Sequence, residues 1–108
     1  MRVQVAARHC QIPDSVRTRT EEQIARLAKY DPRIASADAI YEEVKRVRSV
    51  EVILSVHGGE PVIARGEGEE FRSALDKVVD RLRSILRRQR SQARDHQGPR
   101  AAERMSSE

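Results

Sequence analysis

At 108 residues, with 35% charged and only 3% aromatic side chains, the chain has room for one domain whose core must be built from Val, Ile, Leu and Ala. There is no run of 18 apolar residues to form a membrane-spanning helix, and the alternating start MRVQVAARHC lacks the apolar block of a secretion signal. The one cysteine, Cys10, excludes an internal disulfide, so a soluble cytoplasmic protein is expected.

In chain order, Val3, Val5 and Ala7 alternate with Arg2, Gln4 and Arg8, the period of a half-buried strand. Pro13 and Asp14 then favour a helix start, because proline pre-sets a first turn and an acid suits the positive end of the helix. The helix that follows places Val16, Thr20, Ile24, Leu27 and Ala28 on one face, with Arg19, Glu22, Arg26 and Lys29 as a solvated opposite side. Tyr30-Asp31-Pro32 ends it, since the residue before a proline is pushed out of the α region. A second strand is expected over 37–45 with Ile40 and Val44 turned to the core. A third alternates cleanly as Val50, Val52, Leu54 and Val56 against Glu51, Ile53, Ser55 and His57. Gly58-Gly59 reads as a hairpin turn, and Val62 and Ala64 point inward on the returning strand, which fades at Gly66-Glu67-Gly68. Phe71, Ala74, Leu75, Val78, Val79, Leu82, Ile85 and Leu86 then recur at steps of three and four, an apolar stripe along a long helix. Glu67, Glu69 and Glu70 are expected at its positive end and arginines at its negative end.

In this order, β-α-β-β-β-α, the first helix crosses over to join strands one and two in parallel, and the later strands follow as antiparallel hairpins. Both helical stripes pack on one face of a four-stranded mixed sheet, giving a two-layer α+β domain. After its first strand the order is that of a double-stranded-RNA-binding domain. The domain is expected over 1–94, with 95–108, rich in Ala, Glu, Ser and Arg, as a disordered tail.

No catalytic, cofactor or metal site is assembled by the sequence. His9 and Cys10 are neighbours at a strand end and point to opposite faces, which suits neither a chelate nor a nucleophile–base pair. His57 falls on an outward register and His96 in the tail. Asp76 and Asp80 stand among cations, so Asp76 is expected to pair with Arg72, and Asp80 with Arg83 or Arg87. Gly66-x-Gly68 lacks the third glycine of a dinucleotide loop. A non-enzymatic protein is expected.

The distribution of charge is more informative. Residues 1–80 carry 13 Lys+Arg against 14 Asp+Glu, residues 81–94 carry six arginines and no acid, and residues 95–108 carry 2 against 3. The net charge of +4 thus originates in one short segment, which points to a polyanion. At about 100° per residue from Leu82, Arg83, Arg87, Arg90 and Arg94 fall between about +80° and +140°. Lys77, Arg81 and Arg88 fall between about −100° and −140°. Two basic ridges therefore border the apolar stripe, and arginine's planar fork suits phosphate oxygens and base stacking. A membrane surface would want exposed apolar bulk beside the charge, a helix-turn-helix a second helix, and a stacking sheet aromatics on its open face. Structured RNA, met through its phosphates, fits best.

Several stretches carry a resemblance. They are V-x-V-x-A-R-H at 3–9, I-P-D-S-V-R at 12–17, L-A-K-Y at 27–30, V-E-V-I-L-S-V-H-G-G at 50–59, A-R-G-E-G-E-E-F at 64–71 and A-L-D-K-V-V-D-R-L-R at 74–83. Together they resemble the ribosome hibernation-promoting factor family, which includes the ribosome-associated inhibitor of translation. The resemblance implies the same β-α-β-β-β-α fold. It also implies binding to the small ribosomal subunit over the mRNA channel and the A and P tRNA sites, with rRNA contacts through the second helix. Arg8, Lys77, Arg81, Arg88 and Arg90 match the family's basic pattern, while Arg83, Arg87 and Arg94 are added from the helix geometry. Ser84-Ile85 stand where the family often has Arg-Gln, and Arg72 where an aromatic is common, so individual contacts differ.

The chain looks like the short, single-domain branch, expected to be a monomer off the ribosome. A ribosome-dimerising helper protein is a further partner that the resemblance raises. Two other readings stay open on the residues alone. One is a general double-stranded RNA binder acting off the ribosome; the other is a regulator that sets its basic helix against an acidic protein.

Overall fold

A computed structural model describes residues 1–97, with side chains through residue 92. The chain runs β1 (Arg2–Arg8), α1 (Asp14–Ala25), a short 3-10 helix (Arg26–Lys29), β2 (Ile34–Val44), β3 (Val47–Val56), β4 (Val62–Gly68) and α2 (Phe71–Gln97). The sheet order is β1-β2-β3-β4, with β1 parallel to β2 and the other two pairs antiparallel. α1 lies over β1 and α2 over β3 and β4, so the two helices share one face, as the apolar stripes require. Pro13 caps α1 in an extended conformation, and its carbonyl accepts from the N–H groups of Val16 and Arg17.

The expected stripe of α2 is buried from Phe71 through Leu86, with Ile85 half-buried at its margin. Gly66 of β4 lets the helix come this close. A Cβ there would stand 2.4 Å from the Ala74 carbonyl oxygen and 3.0 Å from the Val78 nitrogen. β4 continues through Gly68, so Glu67 belongs to the strand and the first turn of α2 holds no acid; only Glu69 and Glu70 stand ahead of it. Beyond Leu86 the helix continues to Gln97, roughly 16 Å further at its ordinary rise. The expected boundary at 94 falls within α2, and of the expected tail the residues 98–108 lie outside the described residues.

β2 departs from expectation. It begins at Ile34, and its buried members are Ile34, Ala37, Ala39 and Tyr41, while Ile40 is half-buried on the open face and Val44 is 53% exposed. Strand side chains alternate with period two, so one choice sets the whole register, and here Tyr41 makes it. Its ring packs edge-on against Phe71, centroids 5.5 Å apart. Its hydroxyl lies 2.5 Å from Thr20 Oγ1, whose own proton goes to the Val16 carbonyl at 2.6 Å. Thr20 thus accepts from Tyr41, and the phenol is satisfied in the core. Burial and this low-dielectric setting push the Tyr41 phenol above its ordinary pKa.

The β2–β3 hairpin is closed by Lys45 (φ 50°) and Arg46 (φ 69°), both left-handed, between the paired Val44 and Val47. Such turns favour asparagine and glycine, and neither is present to announce this one.

Candidate nucleic-acid interface

Among the described residues the two basic ridges of α2 meet different surroundings. On the β4 side, Lys77 Nζ donates to the Glu67 carbonyl at 2.9 Å and the Arg81 guanidinium donates to the Arg65 carbonyl. Both acceptors belong to an edge strand, whose unpaired main-chain groups would otherwise invite another strand. β1, the other edge, is treated alike, with Arg17 Nη1 donating to the Val5 carbonyl at 2.9 Å. Lys77 and Arg81 therefore combine surface charge with protection of the sheet edge. Arg88 is exposed on the same side, two turns beyond Arg81.

On the α1 side the ridge becomes a cleft. Arg83 pairs with Asp80 at 2.9 Å, one of the pairings expected from spacing. The Arg87 guanidinium lies 5.6 Å from the centre of the Tyr30 ring, and Lys29 Nζ lies 5.2 Å from it. Gln23, Arg26, Leu27, Lys29, Tyr30, Arg83 and Arg87 line a cavity of about 300 Å³. Arg90 joins Tyr30, Arg87 and Ser91 around a neighbouring one of about 470 Å³.

Arg26 and Lys29, expected as ordinary solvated surface, thus belong to the basic site. The spacing Arg26-x-x-Lys29-Tyr30 puts all three on one side of the helix end and was the available signal. Arg19, expected on that same solvated side, is half-buried and reaches across to Asp76 at 3.3 Å. Asp76 therefore pairs between helices rather than with Arg72, because α1 crosses close to that turn of α2.

Few acids offset this charge. Asp31 is held by Arg33 through its main-chain N–H and by Nε and Nη2, each at 3.0 Å. The Arg33 hydrogen bonds hold the Asp31 carboxyl below its ordinary pKa against the opposing effect of burial. Its charge is thereby committed to Arg33 rather than to Arg90, which lines the same cavity of about 620 Å³.

Arg8 is exposed at the far end of β1, opposite Glu42 of β2. Arg90 lies near Asp31 to Arg33, just before β2 begins, so the length of β2 from Ile34 to Glu42, roughly 26 Å, separates the two. The Arg94 side chain lies outside the described residues. Burial and the neighbouring Glu43 raise the Cys10 thiol pKa, away from a reactive thiolate. Among the described residues no group of three or more His, Cys, Asp or Glu could hold a metal, and no helix is long and apolar enough to cross a membrane.

The chain is similar to known proteins in both sequence and fold. A sequence model of the family described as Sigma 54 modulation protein / S30EA ribosomal protein matches residues 3–94. A ribosome hibernation promoting factor of Azotobacter vinelandii is 32% identical over 104 residues, covering 95% of this chain and 96% of that protein. Among solved structures, the N-terminal domain of Thermus thermophilus Protein Y superposes with a TM-score of 0.72 at 26% identity, covering 82% of this chain and 98% of that one. A ribosomal subunit interface protein from Coxiella burnetii shares the fold, with a TM-score of 0.77 at 19% identity, over 84% of this chain and 99% of that one.

Proposed function

The chain belongs to the Sigma 54 modulation protein / S30EA ribosomal protein family, and from that premise we propose that it is a ribosome hibernation factor, a cytoplasmic, non-enzymatic protein that binds the small ribosomal subunit through rRNA. The observation that carries this reading is the basic end of α2. Arg87, Arg88 and Arg90 stand exposed beyond Leu86, the last buried residue among those described, with no acid between Arg81 and Arg94. Among the described residues beyond Leu86 none is buried, so this stretch contributes little to the core and instead supplies a row of guanidinium groups.

Such a row neutralises rRNA phosphates as counterions leave, which supplies affinity without chemistry. The body of the domain follows the helix into the site and excludes mRNA and tRNA from the channel and the A and P sites by its bulk. Off the ribosome the protein is a monomer.

The test is co-sedimentation with purified small subunits across a salt series, comparing wild type with Arg87→Glu/Arg90→Glu. Association at low salt that falls steeply as salt rises, and is lost in the double variant, is expected. A protein that stays in the supernatant at low salt, or a double variant that binds normally, overturns the reading. Equal affinity for plain RNA duplexes would favour a general duplex binder instead.

A further inference from the structure

We propose that the cleft between the 3-10 helix and α2 captures an unpaired nucleotide, with Tyr30 and Arg87 as its stacking platform and Arg26, Arg83 and Arg90 as its phosphate ligands. The proposal rests on the RNA-binding reading above and deepens it, from phosphate contact to capture of a base. Three solvent-open cavities, of about 620, 300 and 470 Å³, have Tyr30 in their lining. Tyr30 is half-buried at the rim of the core, and cations hold it on the cleft side. A guanidinium over a tyrosine ring presents a flat, polarised face, and bases stack on both surfaces.

The charge around the platform is five cations, Arg26, Lys29, Arg83, Arg87 and Arg90, with Asp80 on Arg83 and Asp31 already committed to Arg33. A paired base in a duplex cannot stack on a half-buried ring at the rim of the core. A base splayed from a loop or single strand can, with its flanking phosphates falling on the arginines.

The experiment measures fluorescence anisotropy of the full chain with a short labelled oligouridylate, an abasic oligomer of the same length, and an RNA duplex. Tyr30→Leu is expected to weaken oligouridylate binding about five- to a hundredfold while leaving abasic and duplex binding unchanged. Tyr30→Phe retains the ring and the affinity. Arg87→Lys keeps the charge but loses the plane, so it weakens oligouridylate binding more than abasic binding.

Undiminished oligouridylate binding by Tyr30→Leu, or an equal loss on the abasic oligomer, overturns the proposal. Should Tyr30→Leu melt at assay temperature, the exposed Arg87→Lys decides: equal effects on the two oligomers overturn it. Failure of wild type to sediment with small subunits would sink the ribosome reading and leave this result standing. Normal sedimentation combined with base-independent binding would sink this proposal alone.

Discussion

Tyr41 brings a phenolic hydroxyl into a largely aliphatic core, and the direction of its hydrogen bond sets what each partner is worth. Thr20 gives its proton to Val16 and accepts from Tyr41, so Tyr41→Phe removes one bond and strands no donor. It should cost about 1 kcal/mol, whereas Thr20→Val leaves a buried phenol unpartnered and should cost about 1–3 kcal/mol. Urea denaturation of the two variants checks this; equal losses would mean that the proton runs the other way. Asp31 predicts a pH dependence. Its carboxyl pKa is lowered in the folded chain by Arg33, so the stabilisation is present above the unfolded value, about 3.9, and is lost as pH falls through the lower folded value. Asp31→Asn should therefore flatten the acid limb of a stability–pH profile and leave its shape near neutrality unchanged. An unaltered acid limb would show that Asp31 does not contribute.

Among the elements, β4 and α2 are the most tightly interdependent. Gly66→Ala places a methyl group against the backbone of α2, and overpacking of this kind costs about 1–3 kcal/mol, read by chemical denaturation. The edge of β4 offers a separate prediction. Lys77→Glu/Arg81→Glu removes the donors to the Glu67 and Arg65 carbonyls, so the variant should self-associate as its concentration rises, while wild type stays monomeric in analytical ultracentrifugation. A monomeric double variant would show that charge alone keeps the edge free. α2 and β3 were legible because each repeats a strong period for many residues, and α1 because Pro13-Asp14 marks its start. β2 was not, because Ala37 and Ala39 are weak markers and Tyr41-Glu42-Glu43 breaks the alternation, while the partner that satisfies the buried Tyr41, Thr20, lies on another element. The turn at Lys45-Arg46 was invisible for a related reason, since neither side chain favours the left-handed backbone it adopts.

For the molecule as a whole, the candidate basic positions are far apart, with Arg8 at one end of the sheet and Arg87, Arg88 and Arg90 on α2 towards the other. Salt titration of small-subunit binding should give a linear log–log slope, and replacing Arg87, Arg88 or Arg90 by alanine should lower it by roughly 0.7–0.9 for each phosphate that is no longer neutralised. Arg8→Ala and Arg90→Ala, roughly 26 Å apart, should act additively, whereas Arg87→Ala and Arg90→Ala share Tyr30 and should not. Additivity in both pairs would dissociate Tyr30 from the binding of RNA.

The apolar stripe of α2 and the arginine ridges beside it could be read from residue order, because a helix converts spacing into direction without help from the rest of the chain. The same reading supplied the element order and hence the two-layer fold. It could not show which neighbours each ridge would meet. Lys77 and Arg81 face an edge strand and donate to its carbonyls, while Arg83 and Arg87 face the end of α1 and enclose Tyr30. Arg26 and Lys29 moved from bland surface to the site only because two helices distant in sequence lie side by side. Periodicity orients a side chain about its own helix, and only tertiary packing determines what stands opposite.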